Sequence, residues 1–128
     1  MARATAHIGT DDYATQIVAG GHKLTSDEPS DNGGKNVGPA PYDLLLASLS
    51  ACTAITLRMY AERKGWDLKA ADVALHFYRV EDKEIIDRVV TLTGDLDEAQ
   101  IARLLDVCER TPVTKTLKTG LTINTSRG

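Results

Sequence analysis

A surplus of positive charge is missing from this chain: 15 Lys and Arg face 18 Asp and Glu, for a formal net charge of −3. A general nucleic-acid binder or a protein of anionic membrane surfaces needs a basic face, so both classes are excluded as expectations. No continuous apolar run approaches the roughly 18 residues of a membrane span. The first residues, Met1-Ala2-Arg3-Ala4-Thr5-Ala6-His7, lack the apolar stretch of a secretory leader, which makes the cytoplasm the expected compartment. Histidines are few and scattered; His7, His22 and His76 show no metal-ligand spacing, so neither a metal nor a cofactor is expected. Gly33-Gly34 and Gly38 lack the Lys-Ser/Thr that completes a phosphate-cradling loop. Cysteine is almost absent. Cys52 and Cys108 stand more than fifty residues apart, and in a reducing compartment they read as free thiols or a redox pair rather than a structural bridge. There is no internal repeat and no sign of a second domain, so residues 1–128 are expected to form one domain.

What is present is an ordinary globular balance, with 42% hydrophobic and 26% charged residues, enough to enclose a core. Residues 4–8 and 13–19 read as strands, with Thr10-Asp11-Asp12 as a hairpin turn and Gly20-Gly21 as a second tight turn leading into 22–25. From Ser26 to Pro41 the chain is rich in Asp, Ser, Asn, Gly and Pro and reads as a long loop. Residues 42–64 then run without Gly or Pro, with Asp43 in the first turn and Gly65 as the C-terminal stop, which predicts one long helix. Its middle is apolar nearly all round. A short chain's own sheet can cover one face of such a helix, so the other is expected to pack against a second subunit.

Two strands follow at 73–78 and 85–93, joined by Glu81-Asp82-Lys83, and alternation puts Val73, Leu75 and Phe77 on one face of the first. Trp66 and Leu68 are expected to anchor that sheet. Asp97 and Gln100 have capping-box spacing, and Leu96 and Ile101 fit a hydrophobic staple. They open a second helix carrying Ile101, Leu104, Leu105 and Cys108 and ending near Arg110-Thr111, because Pro112 disfavours helical geometry just before it. A short turn at 113–118 and a last strand at 121–125 complete an α+β plan of antiparallel sheets packed on two main helices.

The segment Gly38-Pro39-Ala40-Pro41-Tyr42-Asp43-Leu44-Leu45-Leu46-Ala47-Ser48-Leu49-Ser50-Ala51-Cys52-Thr53 resembles the central helix of OsmC/Ohr proteins, where a Leu/Ala-rich stretch leads to a reactive cysteine. The loop 27–34 and the tail Thr111-Pro112-Val113 are similar to that family too, as is the order of elements over almost the whole chain. The resemblance implies an intertwined homodimer with thiol sites at its interface. It also implies peroxidase chemistry: Cys52 attacks an organic hydroperoxide or hydrogen peroxide, a second cysteine resolves the sulfenic acid, and a dithiol reductant restores both.

Three departures bear on that mechanism. The family's acidic residue ten positions before the cysteine is Tyr42 here, with Asp43 one residue later as the substitute site residue. The position of the family's activating Arg falls near Asp11; Arg3 lies too early, leaving Arg58, Arg63 or an Arg of a partner subunit as replacements. The resolving cysteine's place before Pro-Val is held by Thr111, and Cys108 lies three residues upstream, so whether it reaches Cys52 stays open. Two further readings compete with the peroxidase: a protein that binds a small hydrophobic ligand in the same interface pocket, and a dimer whose thiols are inert.

Overall fold

Glycine turns and short alternating strands begin the chain. The computed structural model describes all residues, Met1–Gly128, and they form two compact units, Met1–Leu45 and Leu46–Gly128. In the first, β1 (Ala4–His7), β2 (Thr15–Ala19) and β3 (His22–Ser26) make an antiparallel sheet in the order β1-β2-β3. Ala19 pairs with His22, so the β2–β3 hairpin closes on two residues, Gly20 and Gly21, both at positive φ (55° and 83°). Such a tight turn matches the twist of the strands only in a conformation that glycine adopts freely.

The stretch after β3 is a loop, as its composition predicts, and it is ordered by one carboxylate. Asp27 is 3% exposed. Its Oδ1 accepts the Glu28 N–H at 2.8 Å, and its Oδ2 accepts those of Lys35 and Val37 at 3.1 and 3.2 Å. Ser26 fastens the far end, its hydroxyl donating to the Pro39 carbonyl at 2.8 Å. Gly34 lies so close to this backbone that a Cβ there would fall 1.9 Å from the Glu28 carbonyl oxygen.

Helix α1 (Pro41–Lys64) follows. Asp43 caps its start, accepting the Ala40 N–H at 3.0 Å. Gly65, at φ 70°, ends it: the Gly65 N–H reaches the Glu62 carbonyl at 3.1 Å and the Trp66 N–H the Ala61 carbonyl at 2.9 Å. This is the paired bonding of a glycine-terminated helix. Although no unbroken apolar run reaches membrane length, α1 averages 1.5 in mean hydropathy over an 18-residue window, long and apolar enough to cross a membrane by length and composition. Ser48, Ser50, Thr53 and Thr56 interrupt the apolar run, and being only mildly polar they lower the average little.

In the second unit α1 buries Leu49, Thr53, Leu57 and Ala61, one residue every four and hence a single stripe. Leu57 and Ala61 join Leu68, Leu104, Val107 and Cys108 in the core, with Trp66 packed against it. The outer face keeps Ile55 and Met59 exposed. Strands β4 (Asp67–Val80) and β5 (Lys83–Asp95) pair along their whole length, from Asp67 with Asp95 to Val80 with Lys83, so both are longer than their apolar centres indicate. Val73, Leu75 and Phe77 are half-buried while Ala74 and His76 between them are exposed, as the alternation predicts. Helix α2 (Glu98–Val107) opens on a complete capping box between Asp97 and Gln100.

Three expectations at the C-terminal end are corrected. Helix α2 stops at Val107, and Cys108–Arg110 form a 3-10 turn, so Cys108 is not part of the regular helix. Residues 113–118 are not a turn but most of a third helix, α3 (Pro112–Thr119). Pro112 ends one helix and starts the next, since its fixed φ and missing N–H cost nothing at a first helical position. Residues 121–125 form no strand; Leu121 and Ile123 are 68% and 84% exposed. Alternating β-formers supply only a propensity, and a ladder needs a partner edge that this chain does not bring to them.

The Asp27 site has a pH signature. Burial pushes its carboxyl up, but the amides of Val37, Glu28 and Lys35 together with the Lys35 charge outweigh that and hold it below the usual carboxylate value. A depressed value stabilises the fold above the unfolded pKa of about 3.9, and this is lost as pH falls through the folded value. Urea midpoints measured from pH 7 down to 2.5 should drop below about pH 4, and Asp27→Asn should be less stable at pH 7 while losing part of that acid dependence.

Candidate functional site

Cys52 sits one position before the buried Thr53 on α1, at the edge of the buried stripe, and is half-buried. The start of α3 faces it. The first-turn N–H groups of a helix have no partner within the helix, and that of Val113 donates to Cys52 Sγ at 3.4 Å. The sulfur thus has a backbone donor at the start of α3.

Cys108 differs. It is 3% exposed, and its Sγ donates back to the Leu104 carbonyl at 3.5 Å. Burial pushes its thiol up, Arg88 acts against that, and Glu109 adds to it, so the net direction is upward. Asp43 lies nine residues before Cys52, about two and a half helical turns away and on the opposite face of α1. Its carboxylate is engaged by Ala40.

The side chain that joins the two cysteine-bearing segments is Arg88 of β5. One guanidinium nitrogen, Nη1, donates to Thr53 Oγ1 and to Thr114 Oγ1, each at 2.9 Å, and Nη2 donates to the Cys108 carbonyl at 2.8 Å. Thr53 passes its own proton to the Leu49 carbonyl at 2.7 Å, and Thr111 and Thr114 share a 2.6 Å hydroxyl contact. Thr53, Thr111 and Thr114 are all buried. The guanidinium thus meets only neutral oxygens, one set from α1, one from the 3-10 turn and one from α3.

Sequence reasoning missed Arg88: it set Arg3 aside as too early and named Arg58, Arg63 or an Arg of a partner subunit instead. Arg58 donates to the carbonyls of Leu68 and Lys69, while Arg63 and Arg3 are exposed. A signal was present: Arg88 falls in phase with Ile86, Val90 and Leu92, the inward positions of β5. A charged residue on the apolar face of a strand needs buried partners. Beside it opens a groove of about 460 Å³ whose lining includes Leu49, Ile86, Arg88, Thr114 and Leu117.

The family described as OsmC-like protein matches residues 33–126. No curated protein matches the chain. Among solved structures, an OsmC-like protein from Mycoplasma pneumoniae is similar with a TM-score of 0.78 at 20% identity, over 92% of this chain and 87% of that one. An organic hydroperoxide resistance protein OsmC from Legionella pneumophila gives 0.68 at 20% identity, over 92% and 89%. The organic hydroperoxide resistance protein OhrB of Bacillus subtilis gives 0.59 at 20%, over 92% and 90%. At these identities the likeness establishes the fold, an α+β arrangement of OsmC-like type.

The two thiols should separate in a labelling experiment. With iodoacetamide at pH 7 and peptides resolved by mass spectrometry, Cys52 should be alkylated well before Cys108, whose burial disfavours its thiolate; equal rates would contradict the placement of Cys108.

Proposed function

The chain belongs to the OsmC-like family, and on that premise we propose that it is a thiol-dependent peroxidase with Cys52 as the attacking group. The observation that carries this reading is the Val113 N–H aimed at the Cys52 sulfur, on a thiol that is half-buried rather than sealed. The thiolate attacks the terminal oxygen of a hydroperoxide, and the O–O bond breaks. The alkoxide leaves, takes a proton and departs as the alcohol, and the sulfur carries a sulfenic acid. The Cys108 thiol then condenses with that sulfenic acid, releasing water and forming a disulfide, which a dithiol reductant returns to two thiols while being oxidised itself. Asp43 contributes at a distance, by capping the helix that carries Cys52. The proposed setting is a cytoplasmic homodimer in which a second copy covers the exposed Ile55 and Met59 face of α1.

Peroxide consumption with cumene or t-butyl hydroperoxide and dithiothreitol should fall to background in Cys52→Ser. Cys108→Ser should instead retain one added oxygen on Cys52 after a single equivalent of peroxide. Wild-type activity in Cys52→Ser would end the proposal. Light scattering on the wild-type protein should return the mass of two chains; the mass of one chain would remove the dimer from it.

The groove beside Arg88, where Leu49, Ile86 and Leu117 stand among the charged Glu84, Asp87, Glu109 and Lys118, supports one alternative: a protein that holds a small hydrophobic ligand with a polar end without turning it over. Native mass spectrometry distinguishes the two, since a retained apolar mass together with no peroxide loss supports binding alone.

A further inference from the structure

We propose that Arg88 is the positioning residue of the Cys52 site, tying α3 to α1 so that the Val113 amide stays on the sulfur. The inference rests on the peroxidase reading only for what the sulfur is used for. The geometry has two parallel ties between the same two chain segments. In the first, Cys52 accepts from Val113 at 3.4 Å. In the second, their immediate successors, Thr53 and Thr114, are joined through one nitrogen of Arg88 at 2.9 Å on each side. A third bond, from Nη2 to the Cys108 carbonyl at 2.8 Å, fixes the turn that feeds into α3.

An N–H···S contact is weak and long, and by itself would not hold a two-turn helix in register. Hydrogen bonds from a charged donor are about twice as strong as neutral ones, and here they act at the next residue on each side. The other charged groups near the cluster are accounted for. Glu109, on the 3-10 turn, pairs with Lys118 of α3 at 2.6 Å, and Asp87 accepts from the Tyr78 hydroxyl at 2.9 Å. Glu84 pairs with Arg79 at 2.9 Å. Arg88 makes no ion pair: its three bonds go to two threonine hydroxyls and the Cys108 carbonyl, so its fork is committed to holding the segments of the site together.

Lysine is not a substitute, because a single ammonium lacks the planar fork that serves three acceptors on three segments. Thr114→Val is the milder probe: it removes one tie and leaves the guanidinium in place.

The test follows Cys52 and Cys108 alkylation separately, by peptide mass spectrometry over pH 5–9, in wild type, Arg88→Lys, Arg88→Met and Thr114→Val. If Arg88 positions the amide, Cys52 labelling at pH 7 should slow by about three- to tenfold in Arg88→Lys and Arg88→Met. Its half-maximal pH should move upward, Thr114→Val should show a smaller shift in the same direction, and Cys108 should stay slow. General loosening predicts the opposite sign, with both cysteines labelling faster. An unchanged Cys52 profile in Arg88→Lys and Thr114→Val, or faster labelling of both thiols, overturns the inference. Neither readout depends on peroxide turnover, so failure of the peroxidase reading would appear separately, as unchanged peroxide consumption in Cys52→Ser.

Discussion

A guanidinium held among neutral oxygens is the constraint around which the second unit is arranged. Burying a charge is costly unless every donor it carries to the interior finds an acceptor. β5 delivers Arg88 inward in phase with Ile86, Val90 and Leu92, and the acceptors come from α1, the 3-10 turn and α3. Helix α1 and the distant turn-and-helix segment at 108–119 are thereby fixed relative to one side chain. A carboxylate at the same place would have neutralised the charge locally. Hydroxyls and a carbonyl solvate it instead and leave its field acting on its surroundings, which is why Arg88 opposes the upward push of burial on Cys108.

Helix α1 supplies the other half of the arrangement. Its buried stripe at Leu49, Thr53, Leu57 and Ala61 places one hydroxyl, Thr53, among three apolar residues. That hydroxyl is satisfied twice, giving its proton to Leu49 and accepting from Arg88. Cys52, one residue earlier, is rotated by about 100° from the stripe and so meets its border rather than its centre. The border is where a sulfur can be partly desolvated and still be reached. The same rotation carries Ile55 and Met59 to the exposed side, an apolar surface that a second copy would cover in the proposed dimer.

Local order was the readable part of the sequence. The Gly65 stop of α1, the Asp97–Gln100 capping box and the glycine hairpin at 20–21 each depend on a few neighbouring residues, and each is formed. Pro112 was ambiguous because the same residue disfavours helix before it and favours helix after it, so α3 went unread. Residues 121–125 failed as a strand for want of a pairing edge, a property of the whole fold and not of the segment. The site divided along the same line. The motif resemblance singled out Cys52 within α1, whereas Arg88 contacts residues 35 and 26 positions away and belongs to no local pattern beyond one charge on an apolar strand face.

The inequality of the two thiols gives the proposed reaction its order. Cys108 is sealed, bonded to the Leu104 carbonyl, and pushed toward its neutral form, so it is a poor first nucleophile. Cys52 is half-buried and meets an amide donor, which is why the proposed reaction gives the attack on peroxide to it. Resolution then requires Cys108 to leave Leu104 and turn its sulfur. The residue occupies a 3-10 turn rather than the interior of α2, and the poorer hydrogen-bond geometry of such turns makes their opening less costly than that of a regular helix. A cysteine at this point can stay protected while Cys52 is reduced and become available through a local rearrangement once Cys52 carries oxygen. The bond from Arg88 to the Cys108 carbonyl resists that rearrangement, so in the proposed reaction the guanidinium that would steady the first step would also restrain the second.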